Sequence, residues 1–316
     1  MTLLRALALL MLLGCPALAD DYPTRPITLV VPFAAGGNSD VIARVVSDEM
    51  GRILGKRIVI ENVGGAGGST ALSRVAHAAP DGYTLVIGNS GTNAASYTIY
   101  PSLTFKPDAF MPIAIVAKSF GVLAIKKALP VATLSAFVDY ARQNPGKVTL
   151  GHAGVGSSNY LICKSFVHAA KVDVILVSYR GAGPALTDLV GGQIDGVCDA
   201  ASSVSPAILD GKAKGLAVAS STRLPTLPDV PTSAEAGLPE FEVQGWNALF
   251  APAGTPESII ARLNAVARQA VASETVRKRF AELSAVAPDE SEMSVDYLRS
   301  FVPKEIAKFK TLLDAK

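Results

Sequence analysis

The feature that most constrains the fold is a strand, a glycine loop and a helix start in direct succession. Residues 27–31 form a β-branched apolar run bounded by prolines, which predicts a buried strand. Residues 33–37, Phe-Ala-Ala-Gly-Gly, form a loop of mostly small residues and end in two glycines that permit close backbone approach. Residues 38–40, Asn-Ser-Asp, are suitable caps for an amphipathic helix over 40–54. Unpaired amides and the positive end of a helix dipole thus share one space, which favours an anion.

The same arrangement recurs twice along the chain. Residues 87–93 follow the apolar run 83–86, and residues 152–159 follow the strand-like run 148–150 and precede a helical pattern over 160–170. All three loops are rich in Gly, Ser, Thr or Asn, and none contains lysine or arginine. We therefore expect the three junctions to form parts of one pocket. Taken alone, each is equally compatible with a well-capped turn between a strand and a helix.

The rest of the chain continues to alternate between strand and helix patterns. Strands are predicted at 57–62, 83–86, 148–151, 174–179, 194–198, 215–220 and 243–250, and helices at 40–54, 69–79, 134–144, 158–170, 183–190, 257–272, 275–283 and 294–313. Such alternation predicts an α/β fold of parallel βαβ units with helices packed on the sheet.

Two local predictions concern less regular segments. Two apolar runs, 113–117 and 122–125, are broken by the more polar residues 118–121, after which a second alternating unit is predicted to begin. A short helix ending at Asp210 is predicted to start with Ser205 as its cap and Pro206 at its first position.

Composition excludes several classes of function. With 49% apolar and 18% charged residues the chain is not disordered, and its 316 residues suffice for two domains. A net charge of +2 supplies no basic field for nucleic acid. The three histidines stand at no ligand spacing, so neither a metal site nor a cofactor is expected.

Residues 1–19 predict a signal peptide. Arg5 precedes an apolar segment, and Ala17-Leu18-Ala19 resembles a cleavage site, so we expect an exported protein. Cys15 offers a second interpretation, in which it is the acylated residue of a lipoprotein. Cys163 and Cys198 remain after cleavage, and they pair only if their Cα atoms lie within about 7 Å. The sequence leaves that pairing open.

An enzyme is not expected. Ser157 and His152 are close in sequence, as a nucleophile and its base would be. However, the glycine that an elbow motif places two residues after the serine is missing, and no acidic partner is evident.

The chain resembles the Bug-type periplasmic receptors of tripartite tricarboxylate transporters. The stretches that carry this resemblance are 22–23 (Tyr-Pro), 25–27 (Arg-Pro-Ile), 31–37 (Val-Pro-Phe-Ala-Ala-Gly-Gly), 61–62 (Glu-Asn), 81–85 (Asp-Gly-Tyr-Thr-Leu), 154–157 (Gly-Val-Gly-Ser), 179–181 (Tyr-Arg-Gly), 191–195 (Gly-Gly-Gln-Ile-Asp) and 227–232 (Leu-Pro-Asp-Val-Pro-Thr). The resemblance implies a type II periplasmic-binding fold, in which two α/β domains are joined by two crossing strands. We place domain 1 at 22–118 plus 224–316 and domain 2 at 119–223.

The resemblance also implies that backbone amides, Ser and Thr hydroxyls and waters hold a small carboxylate, a C4–C6 dicarboxylate in our reading. The predicted ligand-binding residues are Phe33, Ala34, Ala35, Gly36, Gly37, Asn38, Ser39, Ser90, Gly91, Thr92, Asn93, Ala153, Gly154, Val155, Gly156, Ser157, Ser158 and Asp199. Phe33 could form an apolar wall of the cleft, although a Phe that closes a strand is usually a core residue. Asp199 would either meet an amino or hydroxyl group of the ligand or serve in a turn, and Arg180 fits the cleft rim better than a carboxylate clamp.

The implied partner is a membrane permease, to which a monomeric receptor delivers its ligand in the periplasm. Two alternatives stay open: a ligand-sensing receptor that feeds a two-component signalling system, and a binder of aromatic acids or amino acids with the same fold.

Overall fold

Ten strands form one curled sheet in the computed structural model, which describes residues 22–314. The predicted signal peptide and Cys15 lie outside the described residues. The strands are β1 (Ile27–Val31), β2 (Ile58–Asn62), β3 (Thr84–Asn89), β4 (Phe110–Lys126), β5 (Thr149–His152), β6 (Ile175–Ser178), β7 (Gly196–Ala200), β8 (Ala213–Val218), β9 (Gln244–Pro252) and β10 (Ala285–Val286). They follow the order β2-β1-β3-β9-β4-β7-β5-β6, and β8 and β10 also pair with β4.

Helices cover the sheet, as the alternating sequence pattern predicts. They are α1 (Asn38–Leu54), α2 (Ser69–Ala76), α3 (Ser96–Ile99), α4 (Leu134–Gln143), α5 (Ser158–Ala170), α6 (Ala182–Val190), α7 (Ala201–Leu209), α8 (Glu257–Ala272), α9 (Glu274–Glu282) and α10 (Val295–Asp314). Local sequence explains several of their ends. Gly55 ends α1 in the left-handed conformation, and the Ser157 hydroxyl caps α5 by accepting from the Tyr160 amide.

The sheet consists of two halves that share β4. In the first half-sheet, β1 lies parallel to β2 and β3, and β9 pairs antiparallel with β3 and with residues 110–120 of β4. In the second half-sheet, β5 lies parallel to β6 and β7, and residues 121–126 of β4 pair antiparallel with β7 and β8. Each half-sheet therefore has parallel strands whose carboxyl ends lead into glycine-rich loops.

The break between two apolar runs is absent from the structure, and the predicted start of one helix is wrong. The runs 113–117 and 122–125 belong to one uninterrupted strand, because the intervening residues keep pairing, first with β9 and then with β7. Helix α7 begins at Ala201 directly after β7, so Pro206 lies inside the helix and Ser205 does not cap it. The chain passes directly from β7 into the helix. This geometry overrides the preference of the Ser-Pro pair for the start of a helix.

The hydrophobic core is divided in the same way as the sheet. Helices α1 and α8 cover the first half-sheet with side chains such as Ile42 and Leu263, whereas α4 and α5 cover the second with Phe137 and Phe166. The domain limits 22–118 plus 224–316 and 119–223 stay a prediction. The side chain of Leu224 packs with residues of the second half-sheet, which favours a limit closer to the start of β9 than to residue 223.

A disulfide joins Cys163 on α5 to Cys198 on β7, with a Cα–Cα distance of 5.2 Å. The bond lies inside the core of the second half-sheet, where both cysteines are fully buried. Within residues 22–314, no helix is long and apolar enough to cross a membrane.

Removing this disulfide should lower the free energy of unfolding by about 2–4 kcal/mol, because the bond closes a loop with a sequence separation of 35 and restricts the unfolded chain. Urea denaturation of C163A/C198A against the oxidised wild type measures this difference. Wild type reduced with dithiothreitol should behave like the variant. Equal stability of the oxidised and reduced wild type would contradict the assignment.

Candidate functional site

The three glycine loops singled out in the sequence meet between the two half-sheets. The loops after β1 and β3 come from the first half-sheet, and the loop after β5 comes from the second. The Ser90 hydroxyl lies 2.9 Å from the Ser158 hydroxyl, and the Gly91 amide donates to the same Ser158 oxygen at 3.3 Å. These contacts join the loops after β3 and β5, and Asn38 after β1 lines the same space, so the three junctions meet as the sequence predicts.

That space contains a small cavity of about 20 Å³. Its walls come from both half-sheets, from the crossing strand β4 and from the last helix, and they comprise Asn38, Ser90, Ser119, Ser158, Leu161, Ile162, Ala200, Val243, Gln244, Gly245, Trp246 and Phe309. No lysine or arginine is among these lining residues of the described chain. The volume accommodates one or two ordered waters.

Two helices, one from each half-sheet, begin at this cavity. Asn38 is the first residue of α1 and Ser158 the first of α5. Within residues 22–314, the amides of Asn38, Ser39, Ser158 and Asn159 donate no hydrogen bond to the protein. Such free first-turn amides carry the positive end of the helix dipole, so both half-sheets offer a partial positive charge to the same space.

A buried network of amides and hydroxyls fixes the start of α1. Asn247 on β9 accepts a hydrogen bond from the Asn38 side chain at 2.8 Å and donates to the Ser39 hydroxyl at 3.1 Å. Asn89 donates to the same hydroxyl at 3.2 Å. From the other half-sheet, the Ser202 hydroxyl donates to Asn38. Asn38 therefore links both half-sheets and also lines the cavity.

The loop after β3 is held mainly by its own polar groups. The Asn89 side-chain oxygen accepts from the amides of Gly91 and Thr92 at 2.9 and 3.0 Å. The Thr92 hydroxyl donates to Asn93 at 2.8 Å, and both side chains are buried. In this loop only Ser90 reaches the cavity. The predicted residues Gly91, Thr92 and Asn93 build the turn that presents it.

The loop after β5 is also internally bonded. The Gly154 amide donates to Nδ1 of His152 at 3.1 Å, and the Ser157 amide donates to the Gly154 carbonyl at 3.1 Å. Gly154 and Gly156 have positive φ angles of 109° and 80°, which explains why glycine stands there. Ala153 packs against Phe33 of the first half-sheet, so Phe33 is part of a buried contact.

Several glycines lie where the two half-sheets contact each other. A Cβ atom on Gly67 would lie 1.8 Å from the Val155 carbonyl oxygen, and one on Gly183 would lie 2.1 Å from that of Ala35. The Gly37 position faces the Ala182 methyl group. Only glycine permits such close approach of two backbones. The sequence predicts a close backbone approach at Gly36 and Gly37. In this structure the segment that approaches them is the start of α6.

The contact between the two half-sheets at Gly37, Gly67 and Gly183 is called the seam here. Direct hydrogen bonds also cross it. The Ala34 amide donates to the Arg180 carbonyl at 3.0 Å, and the Tyr100 hydroxyl donates to the Val155 carbonyl at 2.7 Å. The Gly36 amide is occupied within its own loop by Asp40 at 3.0 Å. Arg180 contributes its carbonyl to the seam, while its side chain is exposed and does not line the cavity.

The predicted residues thus fall into two groups. Asn38, Ser90 and Ser158 line the cavity, and the other predicted residues shape the loops, the seam or the adjoining wall. Sequence reasoning did not select several lining or supporting residues from distant segments: Leu161, Ile162, Ala200, Ser202, Val243, Gln244, Gly245, Trp246, Asn247 and Phe309. A polar Asn247 within an otherwise apolar strand pattern was the one available signal among them.

Asp199 is a buried carboxylate beside the cavity. Its side chain is 1% exposed, and Oδ1 accepts from the Asn159 side chain at 2.6 Å and from the Ala200 amide at 2.7 Å. Among the described residues, Oδ2 has no hydrogen-bonding partner. Burial raises the pKa of Asp199 to about 6, because the hydrogen bonds offset the loss of hydration only in part. The adjacent Ala200 lines the cavity.

The geometry does not assemble a hydrolase. The Ser157 hydroxyl accepts from the Tyr160 amide at 3.1 Å, and the His152 ring nitrogens contact the Gly154 amide and the Ser178 hydroxyl. Within the part of the chain that the structure describes, His152 and Ser157 share no hydrogen bond. Residues 22–314 also hold no group of three or more His, Cys, Asp or Glu side chains that would ligate a metal.

Comparison with known proteins gives a consistent result. The family described as "Tripartite tricarboxylate transporter family receptor" matches residues 42–316. MatC from Rhodopseudomonas palustris, solved with bound malate, is 42% identical, with a TM-score of 0.89 over 93% of this chain and 100% of its own. A second R. palustris protein, solved with adipate, is 33% identical, with a TM-score of 0.87 over 92% and 97%. The periplasmic binding protein BugD is 34% identical, with a TM-score of 0.89 over 92% and 97%.

Replacing Asp199 by Asn should stabilise the protein at pH 7 by up to about 3 kcal/mol, the equivalent of a pKa rise from 3.8 to about 6. Between these values the folded protein binds more protons than the unfolded chain, so wild-type stability falls as pH rises from about 4 to about 6. The D199N variant has no carboxylate at this position, so its stability should not show this fall. Urea denaturation at pH 4.5, 6 and 7.5 compares the two profiles. A D199N protein less stable than wild type at pH 7.5 would contradict the prediction.

Proposed function

The chain belongs to the receptor family of tripartite tricarboxylate transporters, and we propose that it captures a C4–C6 dicarboxylate between its two half-sheets. Members of this family are periplasmic solute-binding receptors and not enzymes. The single observation that carries the proposal is the convergence of two helix starts and two serine hydroxyls, one of each from either half-sheet, on a cavity lined by neutral residues. Such a site offers two anion-binding positions at a fixed separation.

One carboxylate would bind at the start of α1, where the amides of Asn38 and Ser39 are free and the Ser90 hydroxyl is adjacent. The other would bind at the start of α5, at the amides of Ser158 and Asn159. Neutral donors suit this purpose, because they need not be stripped of a full hydration shell when the site is buried. Waters would bridge the remaining carboxylate oxygens.

The ligand would enter when the half-sheets move apart. A cavity of about 20 Å³ is too small for a four-carbon diacid, and Ser90 and Ser158 bond each other across it. We propose that carboxylate oxygens take the place of this hydroxyl pair, so that the seam closes around the ligand. The continuous strand β4 and the β4–β9 pairing connect the half-sheets and provide the hinge.

Asp199 would select among dicarboxylates. Its Oδ2 atom lacks a partner among the described residues, and the carboxylate adjoins an anion site. A ligand hydroxyl or amino group that donates to Oδ2 would satisfy this acceptor and offset repulsion between like charges. The malate bound to MatC carries such a hydroxyl, whereas the adipate of the second relative does not. The hydroxy acid is therefore the favoured ligand class here.

The remaining proposals follow from the family. The receptor would be exported by its predicted leader at 1–19, act as a monomer in the periplasm and deliver its ligand to a membrane permease. A sensing role predicts instead that the liganded receptor binds the periplasmic domain of a signalling protein. Transport of radiolabelled ligand by permease-containing vesicles, with and without the receptor, distinguishes the two.

A ligand panel tests the main proposal. Trp246 is the single tryptophan of the chain and lines the cavity, so its fluorescence should change when the site fills. A dicarboxylate at about 100 times its dissociation constant should add about 2.7 kcal/mol of stability. We expect malate, succinate and adipate to shift the melting temperature. Citrate, amino acids and aromatic acids, each tested at equal concentration, serve as comparison ligands. A response to amino or aromatic acids alone would overturn the assignment of the ligand.

The Ser158 hydroxyl should contribute directly to affinity. S158A is expected to weaken dicarboxylate binding about tenfold, because a charge-assisted hydrogen bond at the start of α5 is lost. S294A is the matched control, since Ser294 caps the start of α10 by accepting from the Tyr297 amide and is not among the residues that line the cavity. Isothermal titration calorimetry of both variants measures the difference. Equal dicarboxylate affinities of S158A and wild type would show that the Ser158 hydroxyl does not bind the ligand.

A further inference from the structure

We propose that His152 is a positioning residue, which holds the loop 153–157 in its ligand-binding shape through a single acceptor atom. The importance of this loop for binding rests on the proposed function, whereas the hydrogen bond itself is a feature of the fold. His152 ends β5 directly before the loop and is 1% exposed, so its ring is buried.

The ring fixes the loop at its most constrained point. Nδ1 accepts from the Gly154 amide at 3.1 Å, and Gly154 has a φ of 109° that other residues rarely adopt. The Gly154 carbonyl in turn accepts from the Ser157 amide, and the Ser157 hydroxyl caps α5. A continuous chain of hydrogen bonds thus runs from the imidazole to the helix start that faces the cavity.

The surroundings allow only one protonation state. Because the Gly154 amide is a donor, Nδ1 must carry a free electron pair and the proton must lie on Nε2. Nε2 then donates to the Ser178 hydroxyl at 3.4 Å, and the ring packs against Tyr160 with centroids 5.2 Å apart. Burial lowers the pKa of His152 below its ordinary value, which keeps this acceptor neutral.

A residue that positions a loop and a residue that only packs in the core tolerate different substitutions. Asparagine places its side-chain oxygen near the position of Nδ1 and would retain the acceptor for Gly154, although it fills less space. Leucine fills the space beside Tyr160 and offers no acceptor. If His152 served packing alone, H152L would be the milder change. If it positions the loop, H152N would be the milder one.

Residue-resolved hydrogen exchange by NMR tests the inference without ligand. In wild type and H152N the Gly154 amide should exchange at rates within about threefold, whereas in H152L it should exchange at least about tenfold faster. S178A is the matched control, because it removes only the Nε2 partner and should leave Gly154 protected. Urea denaturation monitors the folding of each variant. Equal protection of Gly154 in H152L and wild type would overturn the inference.

Binding of malate and adipate extends the test to function. H152L should weaken binding at least about tenfold, and H152N by less than about threefold, because only the first leaves the loop without its acceptor. If neither acid binds wild type, the proposed function fails, while hydrogen exchange still decides the role of His152. Equal affinities of H152L and wild type for either acid would show that the ring does not position the binding loop.

Discussion

The structure depends on contact between two backbones at positions that carry no side chain. A Cβ atom on Gly91 would lie 2.4 Å from the Ser158 amide nitrogen, so any larger residue would separate the loops after β3 and β5. Because these loops touch, Ser90 and the first turn of α5 open into the same cavity, which Asn38 at the start of α1 also lines. The partial charges at helix ends act over about one turn, so their cooperation at one ligand requires this proximity. Glycine thus acts mainly by bringing the donors within reach of each other.

The absence of cations among the cavity-lining residues of the described chain follows from the same geometry. A lysine or arginine there would have to lose its hydration whenever the half-sheets close, with or without a partner. Free amides and hydroxyls avoid that cost and can also bond each other, as Ser90 and Ser158 do. Asp199 reverses the local charge, and its neighbour Cys198 is bonded to α5. The disulfide therefore fixes the strand that carries the carboxylate to the helix that carries the amides.

The sequence predicts the parts of the site that are local. A glycine loop between a strand and a helix is visible in any single stretch, so Asn38, Ser90 and Ser158 could be selected from their positions after β1, β3 and β5. Residues brought in by distant pairing could not. Asn247 reaches α1 because β9 pairs with β3, more than 150 residues earlier in the chain. The continuity of β4 was missed for a related reason, since residues 118–121 owe their extended conformation to partners on both half-sheets.

Two sets of hydrogen bonds between the half-sheets would affect ligand binding in different ways. The bonds from Ala34 to Arg180 and from Tyr100 to Val155 hold the half-sheets together without any atom of the cavity. Under the proposed function, they would favour the closed arrangement equally for every ligand and so provide no discrimination. The hydroxyl pair Ser90–Ser158 would act in the opposite sense, because a ligand would have to replace it with stronger bonds. Carboxylate oxygens would meet that requirement at both helix starts, whereas a neutral solute of the same size would exchange one weak hydrogen bond for another. On this proposal, selection for charge would arise from what the ligand displaces as well as from what it contacts.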